Sequence, residues 1–244
     1  FNKIKPKIFI NLSAFTNVDK AENKINEAFD VNGHALKVLS LLCNEYDCKL
    51  IHFSTDYVFD GKNKSKYIES DLTNPKTVYG KSKLLGENNI KKYCKDYLII
   101  RISHLYSNFK KNIVLNIINS MKKNNLDMVN DYEFIPTSTN NVNNFLTFFI
   151  NNSKLYEKTN KIFNLCDNGE KVTPFLLSNY INNKINIVSS KNIKEINYSD
   201  YISQTNRPKN TVLDNTYLKE YFDFEFNDWQ SEVDIIIKEY IKNN

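Results

Sequence analysis

The sequence predicts an α/β fold, in which strands and helices alternate along the chain around a parallel sheet. Residues 8–12, 49–54 and 97–102 form short apolar runs with the length of buried strands. Between these runs lie segments whose apolar residues recur at helical spacing, which is the order typical of βαβ units. At 244 residues the chain is long enough for one such domain with a small additional lobe.

Composition and charge argue against several classes of function. The net charge of +5 is modest, and the lysines are scattered rather than gathered into a basic arm, which argues against nucleic-acid binding. No apolar run reaches the roughly 18 residues that span a bilayer, and the start lacks a signal-peptide pattern. We therefore expect a cytoplasmic protein without membrane contact.

Cysteine and histidine spacing argues against a structural metal. The four cysteines form no C-x-x-C pair and are expected as reduced, mostly buried thiols at Cys43, Cys48, Cys94 and Cys166. His34 has no partner at metal-ligand spacing and is interpreted as a surface or capping histidine, and His52, on the second strand, is interpreted as structural.

The first predicted strand, 8–12, ends in Ser13 and Ala14, small residues that let a ligand approach the backbone. Helices are predicted next at 17–29 and 31–46. In the second helix, the apolar residues expected to cover the sheet are Val31, Ala35, Val38, Leu39 and Leu42.

The stretch 49–87 joins the second strand to a further helix. The strand ends in Ser54-Thr55-Asp56, at the carboxyl edge where open α/β sheets bind ligands, and Asp60-Gly61 marks a turn. The helix carries Tyr79 and Lys83, four positions apart and therefore on one face.

A phenol, an ammonium and a hydroxyl in this order suit the reduction of a carbonyl. The forming alkoxide needs a proton, and a neighbouring cation is expected to lower the pKa of Tyr79 from about 10. Thr55 is expected to add a donor to the same oxygen. The same spacing also occurs at Tyr106 with Lys110 and at Tyr180 with Lys184, so the preceding strand distinguishes Tyr79.

The third strand, 97–102, points its carboxyl end toward the same edge, so residues 103–106 are expected to line the site. Two more strands are predicted at 126–129 and 161–165, and helices are predicted at 112–123, 140–150 and 228–241. A further helix is predicted to run to residue 183, with Thr173 as its N-cap. The apolar stripe of the last helix is assigned to core packing.

The motifs STDYVFDG, VYGKSKLLGE, NLSAFTNVDKAE, RISHLYS and NRPKNTVLD together resemble the dTDP-4-dehydrorhamnose reductases, which are extended short-chain dehydrogenase/reductases. The resemblance covers nearly the whole chain. It implies a Rossmann-like doubly wound parallel sheet, N-terminally incomplete, with a small C-terminal substrate-binding lobe. The implied domains are 1–106 and 107–244, with a segment near 161–165 returning to the main sheet.

The resemblance also implies site residues. Tyr79 would donate the proton, supported by Lys83 and Thr55. The cofactor, NADP(H) or NAD(H), would contact Tyr79, Lys83 and three residues at the end of the first strand, Ser13, Ala14 and Phe15. These three also fit an ordinary turn between strand and helix.

The implied substrate is dTDP-4-dehydro-L-rhamnose, reduced at its C4 keto group. The residues expected to contact it are Thr55, Asp56, His104 and Arg207. Relatives usually have a tryptophan at the position of His104, which leaves the sugar open, and Arg207 also fits a surface arginine in a proline turn.

The five glycines allow no G-x-G-x-x-G, the phosphate-binding loop that precedes this stretch in relatives. Either the sequence is truncated or the protein lacks that loop. The alternative to an enzyme is a non-catalytic subunit resembling the methionine adenosyltransferase β subunit. A homodimer, magnesium assistance and the choice between NAD and NADP are expectations that rest on the resemblance.

Overall fold

The computed structural model describes residues 1–121, 126–156, 160–185, 192–200 and 205–243. Its strands are β1 Ile8–Asn11, β2 Lys49–Thr55, β3 Tyr97–Ile102, β4 Leu105–Tyr106, β5 Leu126–Val129, β6 Thr137–Ser138, β7 Lys161–Leu165 and β8 Ile193–Ile196. Four of them form a parallel sheet in the order β1-β2-β3-β7. The predicted α/β class is confirmed.

The helices of the described ranges cover both faces of this sheet and build a smaller lobe. They are α1 Val18–Asn23, α2 Ile25–Phe29, α3 Ala35–Glu45, α4 Val78–Tyr93, α5 Ile113–Ser120, α6 Thr139–Asn151, α7 Pro174–Ile185, α8 Thr216–Phe222 and α9 Trp229–Asn243. None of the described helices is long and apolar enough to cross a membrane.

Alternation along the strands sends neighbouring side chains to opposite faces of the sheet. Leu50 and Ile99 pack in one cluster against α3 and α4. Ile51, Leu98 and Ile100 point the other way, into a cluster with phenylalanines of α6 and α8. Burial on both faces explains why these strands are continuous apolar runs.

The smaller lobe has its own core. The parallel pair β5 and β8 packs with α5, α7 and α9. The apolar stripe predicted for the last helix is buried there, as Trp229, Val233, Ile236 and Ile237. The lobe connects back to the main sheet through β7, α6 and α8.

The two early helices differ from the prediction. The first is interrupted at Lys24, which has non-helical dihedral angles, and the second begins with a π-helical turn at Asp30–His34. A π-turn inserts a residue and rotates the face that follows it. Val31 and Val38 are exposed, whereas Ala35 and Leu39 of the predicted face are partly buried against the core. The fully buried stripe of this helix consists of Leu36, Ser40 and Cys43.

Other boundaries agree closely. The strands at 97–102, 126–129 and 161–165 have the predicted bounds, and Thr173 caps α7 by accepting a hydrogen bond from the Leu176 amide. The predicted end of the helix at 112–123 lies partly outside the described residues. All four cysteines are free and buried, as predicted.

Candidate active site

The carboxyl ends of β1, β2 and β3 open into a cavity of about 620 Å³. Its polar lining includes Thr55, Asp56, Tyr79, Lys83 and His104. An apolar wall faces these groups and includes Leu12, Val18, Ile102, Val142 and Leu146. The structure thus brings the predicted phenol, ammonium and threonine hydroxyl to one cavity.

Helix α4 is set close against the end of β2. Thr77 caps it by accepting a hydrogen bond from the Gly80 amide at 3.0 Å, so Tyr79 lies in the first turn and Lys83 one turn later. A Cβ on Gly80 would lie 2.3 Å from the Tyr57 carbonyl oxygen, which explains a glycine there. This close approach holds Tyr79 over the strand end.

A buried ion pair fixes the same helix to two strands. Arg101 of β3 donates two hydrogen bonds to Glu87 of α4, at 2.9 and 2.7 Å, and Ser54 of β2 donates a third at 2.6 Å. The side chains of the ion pair are almost fully excluded from solvent. The bidentate geometry leaves little freedom for α4 to slide.

Burial raises the pKa of Tyr79 to about 12, and the Asp56 carboxylate adds to the increase. The nearby Thr55 hydroxyl, which lines the same cavity, opposes it. The expected lowering of this pKa by a cation is wrong for this structure, because burial dominates and the Lys83 ammonium is engaged elsewhere. Tyr79 is consequently a protonated acid at neutral pH.

Lys83 Nζ donates to the Phe53 carbonyl oxygen at 2.5 Å and lies 3.2 Å from His52 Nε2. Burial lowers the pKa of this ammonium to about 8, and Glu87 opposes the shift. His52 is fully buried and also contacts the Asn11 amide at 3.0 Å, so it connects Lys83 to the end of β1. No local sequence pattern signals the contact of His52 with Lys83, because it joins residues 31 positions apart in different elements.

Thr55 and Asp56 form a buried hydrogen-bonded unit. The Thr55 hydroxyl donates to Asp56 Oδ1 at 2.9 Å, and Ser103 Oγ donates to Oδ2 at 2.9 Å. Burial raises the pKa of Asp56 to about 6, against the hydrogen bonds that stabilise the carboxylate. In this state the threonine proton is directed at Asp56, so donation by Thr55 to a substrate oxygen stays a prediction.

The loop after β1 reaches the rim of the cavity. Ala14 lines it, whereas Phe15 is held by Asn32, which accepts from the Phe15 amide at 2.8 Å and donates to its carbonyl oxygen at 3.0 Å. Ser13 is exposed, and its amide donates to Asn11 Oδ1 at 3.2 Å. The cofactor contact predicted for Ser13, Ala14 and Phe15 stays a prediction, and of the three Ala14 lines this cavity.

His104 separates this cavity from a second one of about 460 Å³ in the smaller lobe. Its backbone has φ 45°, and its ring stacks on Phe134 with centroids 4.0 Å apart. Arg207 lines the second cavity and pairs with Asp19 at 3.0 Å. Arg207 is thus not an isolated surface arginine, and it lies beside a pocket large enough for part of a ligand.

The other two tyrosine–lysine spacings lie outside this cavity. Tyr106 is buried and donates to Asp167 at 2.6 Å. Tyr180 donates to Asp234 at 2.8 Å, and Lys184 donates to the same carboxylate at 2.7 Å near the surface of α7. Within the described ranges, no three His, Cys, Asp or Glu side chains form a group that could hold a metal ion.

Comparisons with known proteins agree with this geometry. A family model described as the RmlD substrate binding domain matches residues 1–242. The chain is 31% identical over 230 residues to a dTDP-4-dehydrorhamnose reductase of Sinorhizobium fredii, which covers 92% of this chain and 77% of the relative.

Solved structures show the same architecture. A dTDP-4-dehydrorhamnose reductase ortholog from Clostridium acetobutylicum superposes with a TM-score of 0.87 at 31% identity, covering all of this chain and 82% of the other. The Bacillus anthracis dTDP-4-dehydrorhamnose reductase in complex with NADP has a TM-score of 0.89 at 24% identity, covering 98% of this chain and 82% of the other. The doubly wound Rossmann-like fold is confirmed.

Proposed function

The chain belongs to the RmlD substrate-binding domain family, and from that premise we propose that it reduces the C4 keto group of dTDP-4-dehydro-L-rhamnose to give dTDP-L-rhamnose. The observation that carries the proposal is the single cavity into which Tyr79, Lys83 and Thr55 converge. The named relatives are reductases, so the alternative of a non-catalytic subunit is not favoured.

The reduction requires a proton at the oxygen that becomes an alkoxide. Tyr79 supplies it, because burial keeps the phenol protonated at neutral pH. Lys83, one helical turn away, is still mostly charged below its pKa of about 8. Its ammonium is held by the Phe53 carbonyl oxygen and does not lower the pKa of Tyr79 in this structure, so its support of the phenolate is proposed for the site with substrate and cofactor bound. Asp56 orients Thr55 at the same edge.

The cavity fits the nicotinamide end of NAD(P)H. Lys83 and Tyr79 offer donors suited to ribose hydroxyls, and the apolar wall that includes Leu12 and Val18 accommodates a flat ring. Ala14 leaves room for the cofactor beside the backbone of the loop after β1. The bound cofactor supplies the hydride, and the Bacillus anthracis relative was solved with NADP.

The remainder of the substrate is assigned to the second cavity. His104 lies between the two cavities, where it contacts the deoxysugar. Arg207, whose Nη2 donates to Asp19 in this structure, is assigned to the pyrophosphate through the donors that face the second cavity. The choice between NADP and NAD and a homodimeric assembly remain predictions. Magnesium assistance likewise stays a prediction that rests on the resemblance.

The test is consumption of reduced nicotinamide by the purified protein. dTDP-4-dehydro-L-rhamnose should be reduced with NADPH or NADH, and the product identified as dTDP-L-rhamnose by mass and NMR. A panel of other nucleoside-diphosphate 4-keto sugars tests the sugar and the base. Absence of turnover with every member of the panel would contradict the proposal.

A further inference from the structure

A continuous row of polar side chains connects the two cavities. The Tyr132 hydroxyl lies 2.6 Å from His104 Nε2, and His104 Nδ1 lies 2.9 Å from Ser103 Oγ. Ser103 in turn donates to Asp56 Oδ2 at 2.9 Å. Because the serine proton goes to Asp56, the serine accepts from Nδ1–H, and Nε2 then accepts from Tyr132. The donors therefore all point toward Asp56.

The protonation of Asp56 decides where the single Thr55 hydroxyl proton points. While Asp56 is ionised, Oδ1 accepts that proton across the 2.9 Å contact, so Thr55 cannot offer it to Tyr79, which lines the same cavity. When Oδ1 carries a proton, the same contact runs from Asp56 to Thr55. The threonine proton is then free to move to Tyr79.

On the proposed function, each turnover leaves Tyr79 as a phenolate inside a largely buried site. We propose that Asp56, Ser103 and His104 form a proton relay that returns a proton from the second cavity to Tyr79 through Thr55. The three side chains are thus positioning and proton-transfer residues in addition to any contact with the sugar.

The first half of the relay restores the phenol. The Thr55 Oγ1–H bond breaks as its proton passes to the Tyr79 oxygen, and Asp56 passes the proton on Oδ1 to Thr55. Asp56 then accepts a replacement proton on Oδ2 from the Ser103 hydroxyl. A carboxyl group suits this step, because it can release a proton from one oxygen while it accepts one on the other.

The second half draws a proton from solvent. Ser103 takes the Nδ1 proton of His104, His104 takes the Tyr132 proton on Nε2, and Tyr132 takes one from water in the second cavity that it lines. Each intermediate group gains and loses one proton. The net change is one proton added to Tyr79, without transfer of electrons.

The surroundings suit a relay through neutral groups. Burial raises the pKa of Asp56 to about 6, so a fraction of the carboxyl is protonated at neutral pH; the titratable groups that face it are Tyr57, Tyr79 and Tyr132. Burial and the nearby Arg207 lower the pKa of His104 to about 3. A neutral imidazole can accept on one nitrogen while it donates from the other.

Ser103→Ala removes one link and leaves the phenol, the threonine and the carboxylate in place. The first turnover uses the proton already on Tyr79, so reduction with enzyme in excess over dTDP-4-dehydro-L-rhamnose should keep its rate within about twofold. Repeated turnover with excess substrate should fall by about tenfold or more, in the range for loss of a proton-transfer step. Ser40→Ala, a buried serine bonded to the Leu36 carbonyl oxygen of its own helix, is the matched control and should change neither rate.

Imidazole in the buffer should restore part of the repeated turnover of the Ser103 variant, because a small acid in the cavity replaces the relay. The relay would be refuted if the Ser103 variant lost rate equally with enzyme in excess and with substrate in excess. It would also be refuted if repeated turnover stayed within twofold of wild type. A wild-type protein inactive with every sugar tested would instead refute the proposed function.

Discussion

Neutralising Glu87 should unfold the protein at a markedly lower temperature. In Glu87→Gln, the guanidinium of Arg101 stays buried and charged without its counter-ion, since the side chains of this pair are 2% and 0% exposed. Breaking a buried ion pair from one side costs roughly 3–5 kcal/mol. For a chain of this size each kcal/mol lowers Tm by about 2–4 °C, so the expected shift is about 6–20 °C.

The measurement is the free energy of unfolding from chemical denaturation, with Tm from near-UV circular dichroism. Glu133→Gln is the matched control. The ion pair of Glu133 with Lys171 is 2.8 Å long, close to the 2.7 Å of the buried pair, but the side chain of Lys171 is 50% exposed and that of Glu133 is 37% exposed. The control should cost no more than about 1 kcal/mol. If the two variants differ by less than about 1 kcal/mol, the pair does not fix α4 as described.

Three further changes probe the cavity. Lys83→Met removes the cation that faces the proposed ribose site, and fluorescence titration should show reduced-nicotinamide binding weakened by at least about tenfold; a Kd within twofold of wild type would exclude that contact. Ala14→Trp fills the rim of the cavity and should weaken the same binding without lowering Tm, whereas unchanged affinity would place the cofactor elsewhere. The folded state binds the Asp56 proton more tightly than the unfolded state, with a pKa of about 6 against 3.8, so this group's contribution to stability is lost as pH rises through about 6. Between pH 5 and 8 the wild-type protein should therefore lose about 1 kcal/mol of its free energy of unfolding through this group, and Asp56→Asn should not show this loss. Identical pH profiles of the two proteins would contradict the raised pKa.

The strands of the sheet, and the edge of the sheet at which the candidate residues meet, could be predicted from the sequence. Buried parallel strands are short, continuous apolar runs, so 97–102 and 161–165 could be predicted to the residue. The carboxyl ends of parallel strands meet at one edge, which allowed Thr55 and Tyr79 to be placed together although they lie in different elements.

What could not be predicted depends on contacts between distant segments. The π-turn at Asp30–His34 interrupts the 3.6-residue period on which the prediction of the buried face rested. The contact of His52 with Lys83 and that of Tyr132 with His104 join residues 31 and 28 positions apart, and no local pattern signals them. Polar networks of this kind become visible once the elements are packed.

The most direct test of the central claim is the rate of Tyr79→Phe with NADPH and dTDP-4-dehydro-L-rhamnose. Loss of the phenolic proton should reduce kcat by roughly 10²–10⁴-fold while the Kd for reduced nicotinamide stays within about threefold. Tyr180→Phe, which alters the tyrosine of the same four-residue spacing outside the cavity, should keep the wild-type rate. A Tyr79→Phe protein that turns over within a few fold of wild type would show that this phenol is not the acid.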